Sequence, residues 1–374
     1  NIASGPSTLI GYKPAELGNA ELGWESSRTI NLGMDIGILK NRITANVNYY
    51  LTNTTDLLLS RTISSIHGVT PVTHLDATGL GYGSGWRPPA ITQNIGETQN
   101  TGVELFLNSR NVVGSKFSWA TTANFSFNKN EIISLYGLLD DEGVEVDDYA
   151  NNWFIGHPIR LNFDYVWDGV WQEDEIDTAP ETRKAKAGYL KLKDGNGDGV
   201  VDADDREIIG QHDPKIMAGL NNTFSYGNFK LNIFIHGVWG ATVRDQQMSG
   251  MGNEIRYNTI MKNWWTPENP TNDWPMNFQN SHSDNGHSGH IYADPSFIRV
   301  KDVSLSYDLP KSLIGKIGLN SLRFYVTGRN LFTFTKWPGM DPELIIDSDD
   351  PSDDDIQLEI PMIKEFVFGF NIEF

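Results

Sequence analysis

The chain contains 374 residues, carries a formal net charge of −19 and has no cysteine. The lack of cysteine excludes disulfides, thiolate metal sites and a cysteine nucleophile, and the acidic balance argues against nucleic acid as a partner, since phosphate binding needs clustered Lys and Arg. No run of about 18 apolar residues occurs, so a membrane-spanning helix is excluded. A mean hydropathy of −0.37 leaves spanning by strands open, because every second residue of such a strand faces a wet lumen.

Apolar and polar side chains alternate along most of the chain, which predicts β-strands. Residues 366–374 place Phe or Ile at every second position, and residues 159–171 place Ile, Leu, Phe, Tyr and Trp on one face. Many runs reach roughly ten residues, the length that crosses a bilayer at a tilt. The predicted strands span residues 27–38, 43–60, 98–110, 117–136, 147–156, 158–171, 214–226, 229–246, 294–309, 321–335 and 362–374.

The connections between these strands alternate in length, as in outer-membrane barrels with short periplasmic turns and long extracellular loops. Short turns are predicted at residues 39–42, 111–116 and 227–228. Long connections are predicted at residues 64–94, 172–212, 242–293 and 336–361. Strict alternation of the two kinds then requires the strand at 147–156, with a turn at 156–158.

The sequence therefore predicts an all-β fold, a transmembrane antiparallel β-barrel of which residues 1–374 form the C-terminal portion. About eleven strands would be half of a roughly 22-stranded barrel, the size found in plugged transporters. The chain begins at Asn1 without a Met or a signal segment, so we expect a processed or truncated product. The missing N-terminal strands would close the sheet, since unpaired edges are costly in lipid.

Several segments, taken in order along the chain, carry a family resemblance. They are NAELGWESSRTINLGMDIG (19–37), NTGVELFLNSRN (100–111), FSWATTANFSFNKNEI (117–132), GHPIRLNFDYVWDGVWQ (156–172), LKLKDGNGDGVVDADDREIIG (190–210), WWTPENPTNDWP (264–275), PSFIRVKDVSLSYDLPKSL (295–313) and LRFYVTGRNLFTFTKWPGMDPE (322–343). The ordered set resembles the SusC/RagA family of TonB-dependent outer-membrane transporters.

This resemblance implies an outer-membrane location and import of oligosaccharides, with peptides as the alternative substrate. It also implies several partners. Within the same transporter these are an N-terminal plug and the remaining barrel strands, which are absent from this chain. The others are the TonB complex, the lipid bilayer and a SusD-like surface lipoprotein that acts as a lid. A homodimer of transporter–lipoprotein pairs is left open. The terminal Phe374 resembles the signal read by the barrel-assembly machinery.

Residues 194–205 read as a calcium loop of the EF-hand type, within an extracellular loop. Oxygen ligands are predicted from five side chains and from the carbonyl of Val200, with Gly199 at the sharp turn. The predicted side-chain ligands are Asp194, Asn196, Asp198, Asp202 and Asp205. Asp205 stands where EF-hands have Glu, and its shorter side chain reaches less far toward a bidentate contact with the ion. The alternative is an acidic turn without metal; with metal, we expect Ca²⁺ or another hard cation in a structural role.

Further candidates lie in the other long connections, each with a simpler alternative. Trp264, Trp265 and Trp274 could stack on sugars or contact a lid protein, or else pack the loop against its neighbours. A His/Asp group could hold Zn²⁺, but a solvated loop is the simpler reading, as it is for the acidic residues 347–355. The His/Asp group consists of His282, Asp284, His287 and His290.

Two further groups are assigned to the barrel wall. One would form interfacial girdles: Trp119, Tyr136, Tyr226, Trp239 and Trp337. The other would face the lumen: Asn46, Asn48, Asp164 and Asp168. No nucleophile, base and oxyanion arrangement follows from the spacing, so no enzymatic activity is expected. The competing class is a secreted, calcium-stabilised β-rich carbohydrate-binding protein or glycosidase, which would bury its apolar strand faces in a dry core.

Overall fold

The computed structural model describes residues 18–62, 72–73, 86–87, 90–178, 185–244, 263–276, 292–337, 339, 341–343 and 362–374. Its strands, in chain order, are β1 (Ser26–Ile38), β2 (Ile43–Thr55), β3 (Leu58–Thr62), β4 (Val72–Thr73), β5 (Trp86–Arg87), β6 (Ala90–Asn94), β7 (Glu97–Val113), β8 (Phe117–Ser134), β9 (Leu161–Tyr165), β10 (Trp167–Val170), β11 (Leu190–Leu192), β12 (Arg206–Gln211), β13 (Ile216–Tyr226), β14 (Phe229–Trp239), β15 (Val243–Arg244), β16 (Tyr292–Ala293), β17 (Phe297–Asp308), β18 (Ser321–Thr335) and β19 (Glu365–Glu373).

Helical structure among these residues is short. It consists of α1 (Lys311–Ile314) and 3₁₀ turns at Glu173–Thr178, Ala203–Asp205 and Gly315–Ile317. No helix in the described part of the chain is both long and apolar enough to cross a membrane.

One nine-stranded sheet dominates the described residues, in the order β1-β2-β7-β8-β13-β14-β17-β18-β19. Each sheet strand thus pairs with the next one along the chain, as in a meander. The pairs from β8 to β19 are all antiparallel. Nine of the predicted strands are confirmed by this sheet, but two of them end earlier than predicted: β2 ends at Thr55 instead of residue 60, and β14 at Trp239 instead of residue 246.

Register separates the sheet into an apolar face and a polar face. Phe229 pairs with Tyr307, Tyr307 with Phe324, and Phe324 with Phe370, so these four aromatic residues share one row of the apolar face. On β19 this face is open, with Phe368 76% exposed. The opposite face of β14 carries Lys230, Asn232, Phe234 and His236 in alternate positions. The predicted two-sided alternation is confirmed here.

The strand predicted at 147–156 is wrong. Asp148 accepts hydrogen bonds from the backbone N–H groups of Ala150 and Asn151, and Asp147 accepts one from Ile155. These carboxylates fold the segment into local turns, because short Asp side chains compete with ladder pairing for backbone donors. Only an isolated bridge joins Asp148 and Trp153.

The barrel strand predicted at 158–171 is also wrong. This stretch splits into β9 and β10, which pair with β12 and β11 rather than with the large sheet. Its apolar face is buried within the connection between β8 and β13, against residues that follow much later in that connection. Since two predicted strands are removed together, the up-and-down order of the sheet is preserved.

Two compact units divide the chain, the first comprising residues 1–30, 51–100 and 130–157 and the second the remainder. In the first unit, Asn94 donates to the carbonyls of Gly23 and Asp56. Backbone donors of Leu135 and Gly137 bind the Glu145 carboxylate. In the second unit, a small core forms in the β8–β13 connection from Tyr165, Leu190, Leu192 and Val201, with Trp167 packed against it.

Candidate functional site

The β8–β13 connection holds the predicted acidic loop on the small core. Residues 194–205 run from the end of β11 to the start of β12, and Val201 inserts into the core from within the loop. Close by, Lys191 Nζ donates to Glu175 Oε1 at 2.9 Å, and this hydrogen bond holds the pKa of the Glu175 carboxyl below its usual value. Burial lowers the pKa of His212, at the end of the same connection, and Arg160 lowers it further.

The first half of the acidic loop is wound around Asp194. Its Oδ1 accepts from the N–H of Gly197 at 2.6 Å and its Oδ2 from the N–H of Gly199 at 2.8 Å. These glycines have φ of +74° and +84°, a region that residues with a Cβ adopt only with strain. Asn196 and Asp198 continue the winding, each accepting from a backbone N–H two residues on.

Asp205 closes the loop, and it is only 1% exposed. Its Oδ1 accepts from the N–H of Gly195 at 2.8 Å, and its Oδ2 from the N–H of Asp202 at 2.7 Å. Asp202 in turn caps the following 3₁₀ turn by accepting from the N–H of Asp204 at 2.9 Å. The carboxylate at the last loop position therefore ties both ends of the loop together.

The donor set of the loop fits a hard cation in its chemistry. Its predicted ligands are oxygen donors on one short segment, and hydrogen bonds from backbone N–H groups leave a carboxylate further lone pairs for a metal. Within the residues that the structure describes, however, no three acidic or histidine side chains converge closely enough to hold a metal ion. Calcium binding therefore stays a prediction.

The predicted tryptophans bring two long connections together. Trp265 is 3% exposed, and its indole N–H donates to Gln172 Oε1 at 2.8 Å. It packs over Gly188, where an added Cβ would lie 2.5 Å from the indole ring. For Trp265 the structure supports the packing alternative. Trp264 and Trp274 are partly exposed, meet edge to face at 6.0 Å between ring centroids, and stay candidates for contact.

A buried ionic cluster on the polar face of the sheet was missed by the sequence reasoning. Arg299, on β17, is 1% exposed and donates to Asp341 and Glu343 at 2.6 Å each. Lys301 also pairs with Glu343, and Arg299 donates to Thr333. The sequence contained a signal for this cluster. Alternation puts Arg299 on the same strand face as Phe297, and two acidic residues, Asp341 and Glu343, follow β18 closely. The cluster fixes the start of the connection after β18 onto the sheet.

The remaining predicted residues divide as follows. Trp337 is not a girdle residue, because it is buried at 6% exposure. Asp164 and Asp168 are not part of the wall formed by the large sheet, since β9 and the start of β10 lie outside it; a place along a substrate path stays a prediction for them. Phe374 is exposed, and its carbonyl accepts from Asn320 at 2.5 Å; its assembly role stays a prediction. The His282/Asp284/His287/His290 group and residues 347–355 lie outside the described residues.

Comparisons with known proteins all point to the same protein family. Residues 3–331 match the family described as "TonB dependent receptor-like, beta-barrel". TonB-dependent receptor P3 of Formosa agariphila is 31% identical, over 99% of this chain and 36% of the relative. TonB-dependent receptor SusC of Bacteroides thetaiotaomicron is 28% identical, over 87% and 30%. The chain thus spans about a third of the length of these curated relatives.

A solved structure described as that of the RagAB peptide transporter superposes with a TM-score of 0.69, covering 99% of this chain and 38% of that one, at 23% identity. At this identity the likeness shows the fold alone, and the fold is the predicted one. Because the family match extends over most of the sequence, the chain belongs to the TonB-dependent receptor-like β-barrel family, in its SusC/RagA type, and forms part of an outer-membrane barrel.

Proposed function

We propose that this chain is part of a transporter that imports oligosaccharides across the outer membrane with TonB-driven work. The observation that carries the proposal is the two-faced meander: an open apolar face for lipid and a polar face rich in Asn, Ser and Thr for a wet lumen. In the complete protein, further strands would close the barrel and a plug would fill it. This chain supplies the wall and extracellular loops.

The partly exposed Trp264 and Trp274 support a sugar substrate. The same short segment carries amide side chains, and one of them, Asn269, donates to the backbone carbonyl of Trp264. Aromatic surfaces beside amide and carboxylate groups are the chemistry that recognises sugars in a pocket with few polar contacts. A peptide is the second candidate substrate.

Binding by the full-length transporter separates the two substrates. Calorimetry with neutral oligosaccharides and with peptides of similar size is expected to show saturable sugar binding that Trp264→Ala and Trp274→Ala weaken. Trp24→Ala, at a 95% exposed tryptophan outside this loop, is the matched control. Saturable binding of peptides with no binding of any sugar would overturn the oligosaccharide proposal while leaving import intact.

A surface lipoprotein of the SusD type is the proposed lid, with the TonB complex acting on the part of the transporter outside this chain. Support comes from the family and from the fixed loop architecture, in which the 172 and 265 regions are joined through Gln172. Native mass spectrometry of the complex extracted from outer membranes tests the pairing. A transporter that always travels without a lipoprotein would contradict it, and the masses also report whether the pairs form a dimer.

We also propose that residues 194–205 bind Ca²⁺, through Asp194, Asn196, Asp198, the Val200 carbonyl, Asp202 and Asp205. The bound ion would hold the β8–β13 connection in shape; it has no part in moving substrate. Support comes from the ligand spacing and from the winding of backbone donors around Asp194 and Asp205. A chelator should increase hydrogen exchange in residues 185–212 of the full-length protein.

Paired variants sharpen the calcium test. Asp198→Asn removes one charged ligand that makes few structural bonds, so we expect weaker Ca²⁺ protection, whereas Asp174→Asn, in the neighbouring 3₁₀ turn, is the control. Identical exchange with Ca²⁺ and with chelator would contradict the proposal and favour a metal-free acidic turn.

The competing class, a secreted carbohydrate-binding protein or glycosidase, is not supported. Such a protein would bury the apolar strand faces in a dry core, whereas Phe366, Phe368 and Phe370 are each more than half exposed. Family membership points to a receptor and transporter, with no enzymatic relative among the matches described above.

A further inference from the structure

The short-turn end of the large sheet carries a hollow on its apolar face. The hollow is shallow and open to the outside of the sheet, with a volume of about 750 Å³. Its apolar lining comes from four strands: Phe229, Leu305, Tyr307, Phe324, Phe368 and Phe370. Ring contacts order this lining, with centroids 4.6 Å apart for Phe229 and Tyr307 and 6.4 Å apart for Phe324 and Phe370.

Register fixes where along the strands the hollow lies. Phe229 is the first residue of β14 after the two-residue turn 227–228, and it pairs with Tyr307, the penultimate residue of β17. The turn is bonded to the end of β17, because the N–H of Asp308 donates to the Asn228 carbonyl at 2.9 Å and Asn228 Nδ2 donates to the Asp308 carbonyl at 2.7 Å. Short turns of outer-membrane barrels lie on the periplasmic side. The hollow therefore faces the inner leaflet.

The rim formed by the short turns and strand ends is basic in a chain whose net charge is −19. Exposed cations come from three of its turns: Lys40, Arg42, Arg110, Lys116, Lys311 and Lys316. Lys230 and Arg323 also lie at this end, but on the polar face of the sheet. Two acids of this rim are engaged within the protein. Asp308 binds Arg323 through both oxygens, at 2.6 and 3.1 Å, and Glu373 accepts from Ser321. The exposed cations of the rim outnumber these two acids, so an excess of positive charge is available to an external anion.

The connection between β17 and β18 joins the basic rim to the hollow. Helix α1 begins four residues after Tyr307, and Ile314 is buried while Leu313 is 57% exposed. Lys311 and Lys316, on either side of Leu313, are exposed. An apolar side chain between two lysines beside an aromatic hollow suits the boundary between acyl chains and headgroups, where long cationic side chains reach the polar layer.

We propose that this hollow and rim bind one anionic glycerophospholipid of the inner leaflet, with an acyl chain along the aromatic lining and the phosphate against Lys311 and Lys316. The charge of the rim selects this occupant over a neutral or zwitterionic lipid, because ammonium groups attract phosphate and near-surface cations add to the attraction. The site is independent of the imported substrate.

Native mass spectrometry of the full-length transporter tests the proposal, with equimolar phosphatidylglycerol and phosphatidylethanolamine as probes. The wild-type protein should retain phosphatidylglycerol preferentially. The double variant K311Q/K316Q should reduce that retention by about thirtyfold, given the contribution of each of the two near-surface cations. K311R/K316R, which keeps both charges, should retain it.

Matched controls lie at the opposite end of the sheet. K215Q/K364Q makes the same charge change near the long connections, where Lys215 precedes β13 and Lys364 precedes β19, and should leave lipid retention unchanged. Phe370→Ala should weaken retention of both lipids, whereas Phe334→Ala, on the same face near the long connections, should not. Equal retention of the two lipids by the wild-type protein would overturn the proposal. Equal losses of phosphatidylglycerol retention in K311Q/K316Q and K215Q/K364Q would also overturn it.

Discussion

Two segments of this chain have the same alternating pattern and opposite structural fates. In β19, Phe366, Phe368 and Phe370 point out of a sheet and are largely exposed. In residues 161–171, the corresponding face is largely covered by protein: Leu161 and Tyr165 are each 7% exposed, although Ile159 just before them is 38% exposed. Alternation therefore reports that a strand has two unlike faces, but it does not report what covers the apolar one. Lipid covers it in the sheet, and the small core of the β8–β13 connection covers it in the loop.

The largest expected effect comes from truncating one aromatic side chain in the small core and one on the apolar face of the sheet. Tyr165→Ala should destabilise the small core by about 3–5 kcal/mol, because a buried aromatic ring leaves a cavity. Phe368→Ala should change barrel stability by less than about 1 kcal/mol, because lipid fills the space that the ring vacates. Urea-dependent proteolysis within residues 158–215 measures the first effect, and the unheated electrophoretic mobility of the full-length barrel measures the second. Equal losses would contradict the comparison.

The next comparison sets a buried ionic cluster against an exposed pair. Arg299→Met leaves Asp341 and Glu343 buried without their main partner, which should cost about 3–5 kcal/mol. Arg323→Met removes the exposed pair with Asp308 and should cost at most about 1 kcal/mol. Denaturant titration of the full-length protein in detergent gives both values. If the two variants are equally stable, the connection after β18 is not fixed by Arg299.

A charge placed on either face of one strand tests the orientation of the sheet. Ile233→Lys, on the apolar face of β14, should destabilise the barrel by about 2–4 kcal/mol, since lysine near the bilayer midplane is costly. Asn232→Lys, one residue earlier on the polar face, should be tolerated. Refolding yield and stability in lipid vesicles are measured for the two variants. If Asn232→Lys were the more destabilising of the two, the apolar and polar faces of β14 would have been assigned the wrong way round.

The smallest effect concerns pH and the β8–β13 connection. Lys191 lowers the pKa of Glu175 in the folded protein, so the folded state favours the ionised carboxylate. Its stabilising contribution is present above the ordinary pKa of Glu and is lost as pH falls through the lower folded value. The protection factors of the amides in residues 172–192, that is, their exchange relative to the intrinsic rate at each pH, should fall as the pH falls through that window in the wild type, and Glu175→Gln should remove this dependence. Asp174→Gln is the control.

Local pattern predicted most of the sheet, because strand alternation and turn chemistry are both encoded within a few residues. For β13 and β14 the two-residue turn 227–228 was placed correctly, and the alternation of apolar and polar residues within single strands, as in β19, was predicted correctly. The rule that up and down strands alternate along the chain also held for the sheet. The same rule wrongly added a strand at 147–156, since a count of turns carries no information about Asp147 and Asp148 accepting hydrogen bonds from backbone N–H groups.

The loops were less predictable because their contacts join residues far apart in sequence. Nothing near Trp265 shows that Gln172 will accept its indole N–H, and nothing near Arg299 shows that Asp341 will return to it. The acidic loop is intermediate. The spacing of its glycine and Asp residues predicted the tightly wound backbone. Cation binding also requires that the side-chain oxygens converge on one point, which spacing alone does not determine.

The most direct test of the two-faced sheet is a spin-label scan of β14 in the full-length protein in lipid vesicles. The 374 residues contribute no native cysteine, and any cysteine elsewhere in the full-length protein is first replaced by serine so that each introduced cysteine is labelled alone. At residues 230–237, contact with oxygen should peak at the positions of Leu231, Ile233 and Ile235, and contact with a water-soluble nickel chelate at Asn232 and Phe234. Uniform exposure to the chelate at all of these positions would contradict a lipid-facing wall.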